Sequence, residues 1–389
     1  MIIARAITKS IKERAKKIPV IAIVGPRQSG KTTLAKSAFK NHKYLSLESM
    51  KNRTFAHDDP ETFLQTHANK HGIILDEIQE APELLSAIQV HVDEYNQPGY
   101  FVITGSQNFL VNEAITQTLA GRVAIFTLLP LSVGELKKAK LLPSAAENIV
   151  FAGLYPRIYA QNLDPVSWYT DYIRTYVERD VRSIKNITDL TLFQKFIGLC
   201  AGRIGQLLNI TSLANDCGIT LLTAKSWLSV LEASYIIFLL QPYHRNIGKR
   251  LVKTPKLYFY DTGVACSVLG IESPEQLSNH YIRGNLFESF VVAEIHKQRL
   301  NQGLLPRTYF WRDKTGHEVD CLITSGTAVA PIEIKAGQTV NSNYFDGLKY
   351  WYELFKITDY TGTVIYAGTQ NQKRTYGNVF GWPSIDAII

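Results

Sequence analysis

Near-continuous apolar runs, separated by helix-like stretches, set the texture of the chain from residue 20 to about 135. Runs at 20–24, 44–47, 73–75, 101–103 and 124–128 are rich in β-branched and aromatic residues. They lack the apolar–polar alternation of a strand with one wet face, so they read as strands buried on both sides. Their alternation with helical patterns predicts a parallel α/β sheet covered by helices. Leu129-Pro130-Leu131 breaks the pattern, and a polar, proline-punctuated stretch at 137–147 follows. A domain boundary is expected there. Ahead of the first run, residues 1–17 alternate apolar and basic positions and read as an amphipathic helix.

From residue 168 the texture turns helical. Residues 168–183 and 193–208 each read as one helix. A pattern at 210–218 closes on Gly218, and a second helix runs from Thr220 to about Ser234, the layout of a helix-turn-helix. Residues 244–256 are basic and turn-rich and lead into an apolar strand at 257–260, the order of a winged helix. Lys249, Arg250, Lys253 and Lys256 would follow a phosphate backbone, each displacing a counterion, so DNA is the partner this segment suggests. Only Lys225 and Ser226 suit base reading. A protein-contact module fits the same pattern.

In the last third, 284–295 reads as an amphipathic helix with Glu288 near its start. Strands are expected at 308–312, 317–323 and 330–335. Asp320 lies among apolar residues, and Glu333 and Lys335 share a face because strand side chains alternate. An Asp, then E-x-K on the adjacent strand, with a helical Glu upstream, is the constellation of the PD-(D/E)xK nucleases. Asp320 and Glu333 would hold Mg²⁺, Lys335 would position a water beside a scissile phosphate, and Glu288 would be an outer carboxylate. E-x-K is also a common exposed strand pattern, so cleavage and a non-cleaving scaffold both stay open.

The clearest chemistry is earlier. Gly25-Pro26-Arg27-Gln28-Ser29-Gly30-Lys31-Thr32, followed by Thr33, fits the phosphate-binding pattern G-x-x-x-x-G-K-S/T between a strand and a helix. Its backbone N–H groups would cradle a phosphate at a helix N-terminus. Lys31 would reach the β- and γ-phosphates, and Thr32 would ligate Mg²⁺. The strand at 73–75 ends in Asp76-Glu77, which suit a metal residue and a catalytic base. Thr104, at the end of the next strand, is either a sensor of the γ-phosphate or a strand cap. Arg122 is a candidate arginine finger, and a finger favours a ring or dimer acting in trans.

The matching stretches 25–33, 75–79, 104–106, 119–122, 130–132, 176–180, 249–258, 261–263, 318–320 and 333–335 cover both halves of the chain. In them the chain resembles prokaryotic ATP-binding proteins that join an N-terminal AAA-type ATPase domain to a C-terminal domain of unknown function. The resemblance implies ATP binding and hydrolysis carried by Lys31, Thr32, Asp76 and Glu77, and a winged helix with a nuclease-like fold beyond. Gln107-Asn108 depart from the small hydroxylic residues that commonly follow Thr-Gly-Ser in that family.

Length and composition bound the rest. The chain has 389 residues, enough for two or three domains. We expect an ATPase domain at 1–138, a helical connector at 139–204, a winged-helix-like region at 205–262 and a restriction-endonuclease-like α/β domain at 263–389. The charge of +8, from 42 basic and 34 acidic residues, suits a polyanionic partner. Cys200, Cys217, Cys266 and Cys321 are scattered, which argues against a zinc site or disulfide framework and fits a reducing cytoplasm. No apolar run is long enough to span a bilayer. These features predict a cytoplasmic Mg²⁺-dependent ATPase that couples nucleotide state to engagement of DNA by its C-terminal half. An ATP-gated DNA nuclease and a non-hydrolysing ATP switch for a protein partner are the alternatives.

Overall fold

The computed structural model describes residues 1–106, 115–176, 187, 189–243 and 252–388. The first sheet comprises β1 (Val20–Val24), β2 (Lys43–Ser46), β3 (Ile73–Asp76), β4 (Phe101–Gly105) and β5 (Val123–Thr127), all parallel in the order β2-β3-β4-β1-β5. The three central strands β1, β3 and β4 are buried at every position, whereas the edge strands β2 and β5 are only partly covered, with Ile125 38% exposed. Ile21, Ile23 and Val102 pack with Ile7, Ile11 and Leu34, whereas Val20, Ala22 and Leu75 pack with Leu84, Leu85 and Ile88. Each such side chain removed from water contributes roughly 1.5–3 kcal/mol. The acidic strand β3 is not beside β1, because β4 lies between them. The end of β4 therefore lies between the end of β1 and the Asp76 end of β3. Of residues 1–17 only Thr8–Ala15 is helical.

The middle of the chain is helical. Helix Pro165–Tyr176 covers the first part of the expected 168–183 segment, and 177–183 lie outside the described residues. The helix expected at 193–208 ends early, as Leu190–Ala201. Beyond it the chain turns through Gly205 (φ 71°), and the Gly205 N–H donates to Leu257 O at 2.7 Å. Helices Ile210–Cys217 and Leu221–Ala233 follow, capped by Asn209 and Thr220 and separated by Gly218.

The second sheet has eight strands. β6 (Ile237–Pro242) and β7 (Lys256–Phe259) form an antiparallel hairpin. Then come β8 (Thr308–Arg312), β9 (Glu318–Ser325), β10 (Ala328–Lys335), β11 (Thr363–Tyr366), β12 (Gln372–Arg374) and β13 (Gly377–Gly381), in the order β12-β13-β11-β10-β9-β8-β6-β7. The hairpin thus forms one edge of this sheet, with β6 running parallel to β8. Phe310, Cys321 and Ile332 pack with Phe287 and Phe290 of helix Arg283–Asn301. Trp311, Leu322 and Val364 pack with Leu348 and Trp351 of helix Asp346–Phe355 on the other side.

Helix Arg283–Asn301 is not amphipathic as expected. Residues 289–298 are buried without a break, Glu294 and Lys297 included. The helix lies against the end of the first domain, where Glu294 Oε2 accepts the Val133 N–H at 2.8 Å and Lys297 Nζ donates to Leu131 O at 3.0 Å. Charged residues here meet protein, not solvent. Among the described residues, no helix is long and apolar enough to cross a membrane.

Candidate nucleotide-binding site

The phosphate loop joins β1 to helix Lys31–Ala38. Gly25 has φ 150°, and a Cβ there would lie 2.2 Å from Leu128 O, so only glycine lets the loop leave β1 beside β5. Gly30 sits at φ 95° as the helix N-cap, where a left-handed residue opens the N-terminus. Gln28 is left-handed without being glycine (φ 60°), a conformation costing roughly 1–2 kcal/mol. Lys31 is buried, and its Nζ donates to Gly25 O at 3.1 Å and Pro26 O at 2.9 Å. A cavity of about 800 Å³ opens over Gln28 to Thr33. Glu77, residues 1–5 and Arg157 also line it. Residues 1–5 and Arg157 carry no motif that sequence reading could have found.

Asp76 is the hub of the polar residues beside this loop. Its carboxylate accepts from Thr32 Oγ1 at 2.9 Å, from Tyr44 OH at 2.8 Å and from Thr104 Oγ1 at 2.5 Å. Burial and the Asp76 bond push the Tyr44 phenol up to about 12, so it stays a donor. Thr104 Oγ1 in turn accepts the Glu77 N–H at 3.1 Å. The threonine joins the two acids and is not a simple strand cap. A hard divalent cation wants oxygen ligands and keeps several waters. Thr32 and Asp76, touching through their oxygens at the helix N-terminus, fit that demand.

Glu77 has φ 59°, a left-handed backbone that turns its side chain back toward Lys31. Ser106 Oγ donates to its Oε2 at 2.7 Å and Gln79 Nε2 at 2.5 Å. Burial pushes the carboxyl up, but the Lys31 charge, these two hydrogen bonds and Arg27 outweigh it and hold it below its ordinary value. Glu77 is therefore ionised near neutrality and suited to orienting a water. Ser106 lies in the matching stretch 104–106 whose position suits a polar sensor, whereas Gln79 was given no role in the site from the sequence.

Arg122 is not beside this site. It precedes β5, whose Val123 pairs with β1 at Val20, whereas the phosphate loop leaves β1 at Val24. Arg122 thus lies at the opposite end of the sheet, a strand length away (roughly 15 Å). It is bound to Asp93 through Nε–Oδ1 at 2.5 Å and Nη2–Oδ2 at 2.8 Å. A role as arginine finger within its own chain is excluded. An unforeseen arginine holds the loop instead: Arg5 Nη1 donates to Ser29 O at 2.7 Å, and Arg5 Nε pairs with Glu135 Oε1 at 3.1 Å.

The residues chosen on the second sheet do converge. Lys335 Nζ is 3.2 Å from Asp320 Oδ2 and 2.5 Å from Glu333 Oε2, and the Ile334 N–H donates to Asp320 Oδ2 at 2.7 Å. Burial and the neighbouring Asp320 charge hold the Glu333 carboxyl well above its usual range. Burial would raise Asp320 too, but Lys335 and Lys256 keep it low. Two carboxyls side by side thus titrate apart. Glu288 bonds Lys256 at 3.0 Å and Tyr258 OH. Glu318, unforeseen, completes the group: one ligand atom each from Glu288, Glu318 and Asp320 lies within 4.8 Å of the others.

Lys256 was expected on a DNA-facing wing and is instead buried, with 3% exposed, inside this acidic group. Lys253 is exposed. Lys249 and Arg250 lie outside the described residues. On helix Leu221–Ala233, Lys225 is exposed and Ser226 half-buried, but Leu222 is 79% exposed at the same end.

Comparison with known proteins finds three matched stretches. Residues 17–137 match the family described as AAA domain, and residues 144–275 and 283–385 match two families each described only as a domain of unknown function. The chain is similar to uncharacterized proteins of Mycobacterium tuberculosis and Mycobacterium bovis, each 29% identical over 323 residues, covering 82% of this chain and 71% of the relative. Among solved structures it is similar to a Walker-type ATPase of Pyrococcus abyssi (15% identity, TM-score 0.45, 69% of this chain and 96% of that one). It is also similar to the RuvB Holliday junction branch migration motor of Thermotoga maritima (18% identity, TM-score 0.30, 59% of this chain and 85% of that one). Residues 17–137 form an AAA+-type P-loop NTPase domain, and that domain makes the chain an ATP-binding protein.

Proposed function

We propose that the chain is a Mg²⁺-dependent ATPase whose nucleotide state controls engagement of DNA by its C-terminal half. The observation that carries the reading is the Asp76 carboxylate, in contact with the Thr32 hydroxyl of the phosphate loop and tied through Thr104 to Glu77. Mg²⁺ supplies charge neutralisation between the β- and γ-phosphates when bound. Thr32 and Asp76 would hold it, and Lys31 would swing from its own loop carbonyls to the phosphates. Glu77 orients the attacking water, with Ser106 and Gln79 fixing its carboxylate. Phosphoryl transfer asks little more of a protein than positioning and charge.

A buried path supports coupling between the halves. Arg5 binds the phosphate loop at Ser29 O and pairs with Glu135 on helix Val133–Lys138, whose first N–H is held by Glu294 of helix Arg283–Asn301. The charge of +8, exposed Lys253 and the helix pair at 210–233 favour DNA as the partner. A second reading, an ATP-gated nuclease, is favoured by the convergence of Asp320, Glu333 and Lys335 on the adjacent interior strands β9 and β10.

The test is ATP turnover and plasmid retardation by the full chain with Mg²⁺, beside Lys31→Ala and Glu77→Gln. Lys31→Ala should abolish nucleotide binding, and Glu77→Gln should retain ATP without hydrolysing it. Wild-type binding without turnover would favour the non-hydrolysing switch. Plasmid cleavage lost in Asp320→Ala would favour the nuclease, and an unshifted plasmid would redirect the search to a protein partner.

A further inference from the structure

The acidic group on the second sheet departs from the metal-holding arrangement that its residue pattern implies. Lys256 comes from β7, in the part matched at 144–275, yet its side chain enters a group of carboxylates that all belong to 283–385. Its Nζ is 3.0 Å from Glu288 Oε1, is ion-paired with Glu318 Oε1 and lies 5.6 Å from the Phe310 ring centroid. A divalent ion held by these oxygens would sit about 2.0–2.6 Å from each. An ammonium donating to them sits about 2.7–2.9 Å away. Both cannot occupy the same few cubic ångströms, and a second positive centre beside a buried ammonium is repelled in a medium that screens poorly. The remaining carboxylates already have cations: Lys335 serves Asp320 and Glu333, and Arg312 Nη1 is 3.1 Å from Glu318 Oε2. A divalent metal does not fit here while Lys256 is in place.

Lys256 is also pinned from both sides. It pairs with Leu240 of β6 and bridges to Leu207, and the flanking peptides are held by Leu208 N–Pro255 O at 2.8 Å and Leu257 N–Gln206 O at 3.1 Å. Its ammonium is a fixed part of the interior, unlike a surface lysine that happens to swing inward.

We propose that Lys256 is the resident cation of the Glu288–Glu318–Asp320 group, a plug supplied by the edge strand β7 that keeps divalent metal out of these carboxylates. The group takes a metal only when β7 withdraws or Lys256 is removed. This holds whether or not the P-loop domain hydrolyses ATP. Any cleavage chemistry at Asp320 would require that edge strand to move first.

The test counts Mn²⁺ bound to the nucleotide-free full chain by calorimetry, for wild type, Asp320→Asn, Lys256→Met and the double variant. Comparison across Asp320→Asn isolates this group from any ion near Asp76. Wild type and Asp320→Asn should bind the same number of ions. Lys256→Met should gain one per chain, and the double variant should lose it again. A wild type that binds one ion more than Asp320→Asn overturns the proposal, and so does a Lys256→Met protein that unfolds cooperatively yet gains none. If Lys256→Met does not fold, the wild-type and Asp320→Asn pair still decides: equal counts support the plug, and an extra ion in wild type refutes it.

Discussion

Thr104 donates its hydroxyl to Asp76 Oδ1 at 2.5 Å and accepts the Glu77 N–H at 3.1 Å, so one side chain of β4 sets the positions of Asp76, the last residue of β3, and of Glu77, which follows it. Thr104→Val keeps the shape and removes both bonds. We expect kcat for ATP to fall about 10- to 100-fold with a smaller change in nucleotide affinity, since a lost charge-assisted hydrogen bond is worth roughly 1.5–3 kcal/mol. Thr104→Ser should recover most of it. Steady-state kinetics of the three proteins measure this, and an affinity loss equal to the kcat loss would place Thr104 on the nucleotide instead.

Glu77→Gln should lower turnover by roughly 10²–10⁴, the range that a positioned base contributes. Single-turnover assays should show bound ATP persisting.

Arg122→Ala should leave turnover unchanged at concentrations where the chain is monomeric, because its guanidinium is bound to Asp93 at the far end of the sheet. A loss of activity that appears only at high protein concentration would mean that a second copy presents this arginine in trans.

Glu294 and Lys297 are paired at 2.9 Å with essentially no exposure of either side chain. Removing one partner leaves a buried charge alone, so Glu294→Ala should cost roughly 3–5 kcal/mol in denaturant unfolding. Glu294→Met with Lys297→Met should recover much of that, and no recovery would show that the bonds to Val133 and Leu131 matter more than the pair.

His296, on helix Arg283–Asn301, is buried against β6 and β8, with Phe238 at 4.4 Å and a 2.5 Å hydrogen bond to Thr308, and burial lowers its pKa from 6.5 to about 3. Below about pH 6.5 the unfolded chain takes up a proton that the native chain cannot. Stability therefore rises with pH from about 3 to about 6.5 and is flat above. Acidification from pH 7 to pH 5 should cost roughly 2 kcal/mol through this group. His296→Gln should flatten that part of the unfolding profile, and an unchanged slope would assign it to other groups.

Sequence alone determined the features whose physics is local. Five apolar runs become β1 to β5 within two residues, and the central three are legible because strands buried on both faces need apolar composition. The phosphate loop, from Gly25 to Thr32, is legible because backbone geometry demands glycine at fixed places. Asp76 and Glu77 follow because a strand end fixes their place, and Asp320, Glu333 and Lys335 because alternation puts E-x-K on one face. What the tertiary structure decided depends on which distant segments meet. Strand order placed β4 between β1 and β3 and so brought Thr104 beside Asp76, and strand direction carried Arg122 to the wrong end of the sheet. Packing of helix Arg283–Asn301 against the end of the first domain buried Glu294 and Lys297, although the pattern at 284–295 reads as amphipathic. Lys256 reads as one more basic residue in a basic stretch. Only the pairing of β7 with β6 turns it inward, where the carboxylates it meets lie more than thirty residues further along the chain, beyond the reach of any local pattern.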